Sequence, residues 1–470
     1  MRHLVHVISD LHLGGAAATQ DAAAFQMCPP KTRDLLAGFI RKLPPGSAER
    51  DSHLVIAGDI VDFLAEQPFQ AFTGDATMAC DKLRRIFAST AVVWEALREF
   101  CSRPHTLLTL MLGNHDIELS LPGVRELLLE QLPAPGVRFI YDNEAFTLGP
   151  LLIEHGNRFD AWNAVPHGAL RRVRSQLSRK AAVIPPFEAL PGSRMVIDVI
   201  NPLKQQYPFI DLMKPETAAA LPIAAALGGI GLQQVWTAFG KFRASKAVDF
   251  NEESGAPLRS NYISGKPAST DDQLWVEAQQ IARGGSGRQV SAVGDLLSRG
   301  AAIVTEQIRA ARLDAVFAAF RRLAELQRMH REAFDVGIEV DTYLNPARHT
   351  ANAGFKVIVY GHTHLPKNVA IMLDNGAQAS YLNTGTWADV MCVPNGIWDE
   401  DQEKGRALFQ QFAADLGANS LSRWRRAIPT YAHIEINGDD VVKAELRFAQ
   451  DDSPVSTVSL MQLLTGAASA

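Results

Sequence analysis

Five short apolar runs, each halting at a polar loop, constrain this chain more than any other feature. They read VHVISDLHLG, HLVIAGDIVD, LLTLMLGNHD, LLIEHG and KVIVYGHTH. Their ends carry Asp10 and His12, Asp59, Asn114, His155, and His362 with His364. A β-branched or Leu-rich run that stops at a polar loop predicts a buried strand delivering side chains at its C-terminal end. One such run means little, but five in this order predict a sheet-based core with a polar cluster along one edge. Asp, Asn and His without Cys are hard to borderline donors that suit Mn, Fe, Zn, Ni or Co rather than a soft metal. Two adjacent cations can clamp a phosphate, with anionic oxygen bridging them and neutral imidazoles completing their shells.

The remaining pattern predicts an α/β fold interrupted by helices. Residues 81–100, DKLRRIFASTAVVWEALREF, carry apolar positions at helical spacing and predict one helix. GVRFI (136–140) and EAFTLGPLLIEH (144–155) predict paired strands around the turn signals Asp142-Asn143 and Gly149-Pro150. From 161 to 349 strand signals nearly vanish. Stretches such as PETAAALPIAAALGGIGLQQVWTAFGKFRASKA, TDDQLWVEAQQIAR and AAIVTEQIRAARLDAVFAAFRRLAELQRMHREAF predict helices separated by Pro/Gly loops. Strand signals resume at 355–364 and 379–387, and TYAHIEINGDDVVKAELRF predicts a hairpin turning at Asn437-Gly438. The expected organisation is a discontinuous core (1–160 and 350–450), a helical insertion or cap (161–349), and a C-terminal tail (451–470).

Composition sets outer bounds. A chain of 470 residues, 47% hydrophobic and 21% charged, has ample material for a sizeable soluble core. Its net charge of −5 gives no expectation of nucleic-acid binding. Cys28, Cys80, Cys101 and Cys392 lie far apart, which speaks against a zinc knuckle or a disulfide scaffold and for reduced thiols. The first strand begins at Leu4, with no leader pattern before it, and the longest apolar stretch (221–232) is too short and Gly-rich to span a bilayer. A cytoplasmic location is expected, with peripheral membrane contact through the insertion as a further expectation.

The five motifs resemble those of the calcineurin-like metallophosphoesterase family, which run D-x-H, GD-x-x-D, GNH-D/E, a strand-end His, and GH-x-H. This chain supplies Asp10-Leu11-His12, Gly58-Asp59-Ile60-Val61-Asp62, Gly113-Asn114-His115-Asp116, His155-Gly156 and Gly361-His362-Thr363-His364. The resemblance implies a β-sandwich core flanked by helices and two divalent transition-metal ions, with Mn first among Mn, Fe, Zn, Ni and Co. It implies one ion on Asp10, His12, Asp59 and His364, and another on Asp59, Asn114, His155 and His362, with Asp59 bridging. The glycines before Asp59, Asn114 and His362 are expected to let the backbone turn tightly. By the same resemblance His115 is the general acid, oriented by Asp62, and a metal-bridging hydroxide attacks phosphorus. Asp62 has a second reading as a helix cap, Asp116 reads as a loop anchor, and Asn383 and Thr384 as supports for the ligands. His155 alone would read as a surface residue; its place between GNHD and GHTH makes it a ligand.

SDLHLG and GHTHLP resemble in particular the family branch containing UDP-2,3-diacylglucosamine pyrophosphatase. Two departures separate this chain from it: a much larger insertion, and His115 where that branch has Arg. The insertion begins just after His155 and returns before GHTH, so a cap over the metal edge is expected. Within it, Arg171, Arg172 and Arg174 are candidates for contact with a phosphate or anionic headgroup, a solvated helix face being the competing reading. The expected activity is phosphoester hydrolysis on a phosphorylated small-molecule or lipid-linked substrate. Alternatives are pyrophosphate cleavage in a nucleotide-sugar or lipid-linked substrate, a nuclease, or a non-catalytic scaffold.

Overall fold

The computed structural model describes residues 2–17, 24–214, 306–322 and 330–465, together with 223 and 227. The helices expected within 215–247 and at 270–283, and the apolar stretch 221–232 apart from Ile223 and Leu227, lie outside the described residues. The fold is mixed α/β. In chain order the strands are β1 (Arg2–Ile8), β2 (Arg50–Ala57), β3 (Thr106–Met111), β4 (Val137–Ile140), β5 (Phe146–Leu148), β6 (Leu151–Ile153) and β7 (Met213–Lys214). They continue with β8 (Val357–Tyr360), β9 (Pro366–Met372), β10 (Gln378–Thr384), β11 (Met391–Cys392), β12 (Thr430–Asn437) and β13 (Asp440–Phe448).

Two sheets face each other. One has the order β13-β12-β1-β2-β3-β4 and the other β5-β6-β8-β10-β9. Alternate residues of β1 and β2 explain the layering, because side chains along a strand point to opposite faces. Val5, Val7, Val55 and Ala57 pack toward Ile153, Val359 and Leu382 of the second sheet. Ile8, Leu54 and Ile56 pack instead with Leu36 and Ile40, Leu83 and Ile86, and Trp94 and Leu97 of three helices. Strands covered on both faces carry apolar runs rather than strict alternation, as Leu54–Ala57 of β2 and Leu107–Leu108 and Leu110–Met111 of β3 do. The outer face of the second sheet is covered by the helix Asp341–Asn352, whose Tyr343, Ala347 and Ala351 pack on Ile358, Tyr360 and Tyr381. The helix Thr457–Thr465 also enters the inter-sheet core, burying Leu460 and Leu464.

β1, β2, β3 and β4 are mutually parallel, as are β6, β8 and β10. Parallel strands end together, so the loops after β1, β2, β3, β6 and β8 form one rim. This is the feature that gathers the five motifs.

Two local expectations change. Residues 81–100 are not one helix: Ala76–Ser89 and Ala91–Cys101 are separated at Thr90. The Thr90 hydroxyl donates to Ile86 O at 2.6 Å and accepts from Trp94 Nε1 at 2.9 Å, and this local bonding competes with helix continuation. Nor does GVRFI pair with the segment after it. β4 joins the first sheet beside β3, whereas β5 and β6 form a hairpin in the second. Asp142-Asn143 is therefore a crossing between sheets, with Asn143 in the left-handed region at φ 67°. The hairpin at Asn437-Gly438 forms, with Asn437 paired to Asp440.

Within the insertion, the described residues include the helices His167–Ser178, Pro191–Met195, Asn201–Gln206 and Glu306–Arg322. Leu170 and Val173 join the core of the first sheet. Phe209, Met213, Ile223, Leu227, Phe317 and Phe320 form a separate cluster with Phe409 and Phe412 of the helix Gln402–Gly417. One short strand, β7, pairs with β11, so the insertion is stitched to the chain beyond the second sheet.

Candidate metal centre

Each motif loop begins where a strand ends, and the side chains it releases converge. Asp10, His12, Asp59 and His364 form one buried group, and Asp59, His155 and His362 form another, each with ligand atoms within 4.8 Å of one another. Asp59 belongs to both. Asn114 borders the second group, with its Oδ1 3.3 Å from His155 Nε2. Its amide nitrogen is turned away, toward Asn163 Oδ1 at 3.4 Å.

The backbone conformation at these positions is unusual. Asp10, His12, Asp59, His362 and His364 all lie in the left-handed region, at φ 54°, 44°, 49°, 71° and 63°. Each such residue costs roughly 1 kcal/mol or more relative to the right-handed region. The glycines serve differently from expectation. Of the three that precede a candidate ligand, only Gly58 takes a left-handed φ, 89°. Close approach is what all three allow. A Cβ at Gly58 would meet the His155 ring at 2.6 Å, one at Gly113 would overlap Asp59, and one at Gly361 would overlap Ser9 and Asp10. The turning is done by the candidate ligand residues themselves, and the glycines make room for it.

The donor atoms fit a cation. His12 Nε2 and His364 Nε2 stand 2.9 Å apart. Two nitrogens each about 2.1 Å from one ion and at right angles would be about 3 Å apart. Asp10 Oδ1 is buried without a hydrogen-bond partner and lies 3.4 Å from His364 Nε2. His155 donates from Nδ1 to Ala57 O at 2.7 Å, which leaves Nε2 as the atom turned toward Asp59 Oδ2 at 3.3 Å and toward any ion there. Burial opposes ionisation of Asp10 and Asp59. The surrounding histidines, His155 foremost, outweigh it, holding Asp10 down to about 2 and Asp59 well below the usual carboxylate range. Burial likewise depresses His155, yet Asp59 and then Asp10 push it up to about 10. Buried carboxylates that stay ionised make a strongly cation-attracting cavity. Burial, followed by Lys214, brings His364 down to about 4, which keeps its ring neutral and able to coordinate.

His115 sits at the edge of this centre with its side chain 20% exposed. Its Nδ1 lies 3.3 Å from Asp62 Oδ1, and its backbone N–H donates to Asp59 Oδ1 at 2.8 Å. Asp62 has the geometry for both of its expected readings. Its Oδ1 caps the turn Phe63–Ala65 by accepting from Leu64 N and Ala65 N, and its carboxylate faces His115 and, at 3.5 Å, His12 Nδ1. Burial would raise Asp62, but His115 and His12 hold it well below the ordinary range.

Asp116 anchors the loop, accepting from Gly113 N and Ile60 N, both at 2.7 Å. Burial, reinforced by Asp59, pushes it up to about 8. Asp116→Ala would leave both buried N–H groups unsatisfied, at about 1–3 kcal/mol each. A lowered thermal midpoint together with loss of metal affinity is expected, and an unchanged midpoint would contradict the anchoring. Asn383 donates to Gly361 O at 2.7 Å, and Thr384 Oγ1 meets Ser9 Oγ at 2.6 Å, so both support motif loops from behind.

Several participants carry no sequence signal of their own. Ser9 donates to Asp10 Oδ2. Asp160 Oδ2 stands 3.1 Å from His362 Nε2 and is itself fixed by Trp162 N and Asn163 Nδ2. Asp160 and Asn163 flank the start of the insertion, and the five-residue step from His155 to Asp160 was the available hint. The three candidate arginines are placed otherwise. Arg171 and Arg174 both bind the Asp142 carboxylate, and Arg174, buried, also donates to Tyr141 O at 2.9 Å. Arg172 is exposed. Two of the three thus neutralise an acid of the sheet crossing. The four cysteines are free thiols, and no helix of the described residues is long and apolar enough to cross a membrane. No model of a known protein family matches the chain, and no curated protein matches it.

Proposed function

We propose that this protein is a metal-dependent hydrolase of phosphoester bonds, with two divalent transition-metal ions, Mn ahead of Fe, Zn, Ni or Co, held on the two groups that share Asp59. The observation that supports this most directly is that sharing: a buried carboxylate common to two His/Asp groups, with a solvent-reaching imidazole beside it. A pair of cations in such a place supplies Lewis acidity toward phosphoryl oxygens and an activated water. The protein's own residues supply the rest. Asp10, His12, Asp59 and His364 would hold one ion, and Asp59, Asn114, His155 and His362 the other. Asp62 keeps a proton on His115 Nδ1, so Nε2 is the atom that hands a proton to the leaving alkoxide. Asp116, Ser9 and Asn383 fix the loops so that no donor needs to reorganise on binding.

The substrate we propose is a phosphorylated small molecule or lipid-linked phosphoester, screened from above by the insertion. Asn163 bonding Asn114, and Asn201 Nδ2 donating to Leu64 O at 3.0 Å, support an insertion that borders the metal edge. A hydrolysis panel tests the reading: phosphomonoesters, diesters, cyclic nucleotides and nucleotide-sugar lipids, each with Mn²⁺ and after chelation. Turnover on at least one phosphoester, abolished by chelation and restored by Mn²⁺, is expected. Cleavage of the pyrophosphate compounds alone would move the assignment to a pyrophosphatase. Metal uptake without turnover on any compound would leave a binding scaffold.

A further inference from the structure

At the opposite end of β1 and β2 a second group of donors converges. His3 and Asp51 are directly paired in the register of these parallel strands, and His53 follows Asp51 by two residues. All three therefore point to the face that carries Val5, Val7, Val55 and Ala57 further along. His3 Nδ1 lies 3.3 Å from His53 Nε2 and 3.6 Å from Asp51 Oδ2, and one donor atom from each of the three fits within 4.8 Å. The His3 and Asp51 side chains are 18% and 16% exposed, while His53 is buried, so the group opens to solvent on one side. His105 Nδ1, at the rim, stands 3.9 Å from Asp51 Oδ1.

We propose that His3, Asp51 and His53 form a binding site for one divalent first-row transition-metal ion of the Co, Ni or Zn class. His3 and Asp10 are seven positions apart along a chain that is strand as far as Ile8, roughly 20 Å, so this site is distinct from the groups that share Asp59. Two imidazoles and one carboxylate are a complete facial donor set that leaves positions for water or for His105. The donors sit on hydrogen-bonded strands rather than loops, so their relative positions are fixed before an ion arrives. Burial, and the His3 ring beside it, push His53 down to about 4, which keeps its lone pair free at neutral pH. An ion here would tie the start of β1 to β2 at the mouth of the inter-sheet core.

The test uses tag-free, full-length protein dialysed against Ni²⁺, with metal content measured per chain. Wild type is expected to hold one equivalent more than His3→Ala and one more than Asp51→Asn. Asp59→Asn should retain that equivalent. Ni²⁺ should also raise the wild-type thermal midpoint by an increment that His3→Ala lacks. Circular dichroism of both variants guards against misfolding, Asp51→Asn being nearly isosteric. Mn²⁺-dependent phosphoester turnover should be unchanged in His3→Ala, so this proposal and the hydrolase reading fail separately. Equal Ni²⁺ content in wild type and both folded variants would overturn it, leaving a His3–His53 hydrogen bond beside an acid.

Discussion

Asp59→Asn is expected to strip most of the bound metal and lower turnover at least about a thousandfold, which is about 4 kcal/mol of transition-state stabilisation. Asp59 is 1% exposed and belongs to both donor groups. Its Oδ2 lies 3.3 Å from His155 Nε2 and 3.9 Å from His12 Nε2, while its Oδ1 accepts from the backbone of His115. Asn keeps the shape but removes the charge. It also points an N–H at imidazole nitrogens that need their lone pairs for an ion. Metal analysis beside kinetics separates the outcomes, and full metal content with full turnover would remove Asp59 from the centre. His155→Ala should also lower metal content, with a smaller effect because it touches one group.

The second large effect is expected at His115, and it should differ in kind. His115→Ala should keep its metals and lose about 10²- to 10⁴-fold in turnover on alkyl phosphoesters, the range for removing a positioned proton donor. Activated aryl phosphates leave without a proton, so their loss should be much smaller. Equal losses on both substrate types would argue against an acid role. The pH profile adds a signed check. Burial lowers the His115 pKa, but Asp62 and then Asp59 outweigh it and push it up to about 9. Turnover that needs this proton is complete below that pKa and falls as pH rises through it. Cations bound to Asp59 oppose its field, so the alkaline limb should lie at or below about 9, and should vanish in His115→Ala.

Much of this centre is legible from strand ends alone, because a parallel sheet converts sequence order into a row of loops. Asp10, Asp59, Asn114, His155 and His362 each follow an apolar run, and that alone places them on one rim. Asp62 and Asp116 lie inside the same motifs, so their bonds to His115 and to Gly113 and Ile60 follow from the same pattern. Ser9, Asp160 and Asn163 are harder to read for the opposite reason. Each is an ordinary polar residue in its own segment, and what places it at the centre is a partner from elsewhere: Thr384 for Ser9, His362 for Asp160 and Asn114 for Asn163. The arginines of 171–174 show the converse. A basic cluster suggests an anion, and the nearest one proved to be Asp142.

The sequence by itself determined the chemistry available: which donors, in what order, and that they would stand at strand ends without thiolates among them. Tertiary structure decided how those donors meet. It turned five of them into left-handed conformations, which local propensity disfavours and which neighbouring strands and loops must hold in place. It also decided which glycines serve as turns and which as room for a neighbour, because a missing Cβ matters only against atoms brought there by other strands. And it brought His3 across from Asp51 and His53, a pairing fixed by strand register, which no segment of the chain carries alone.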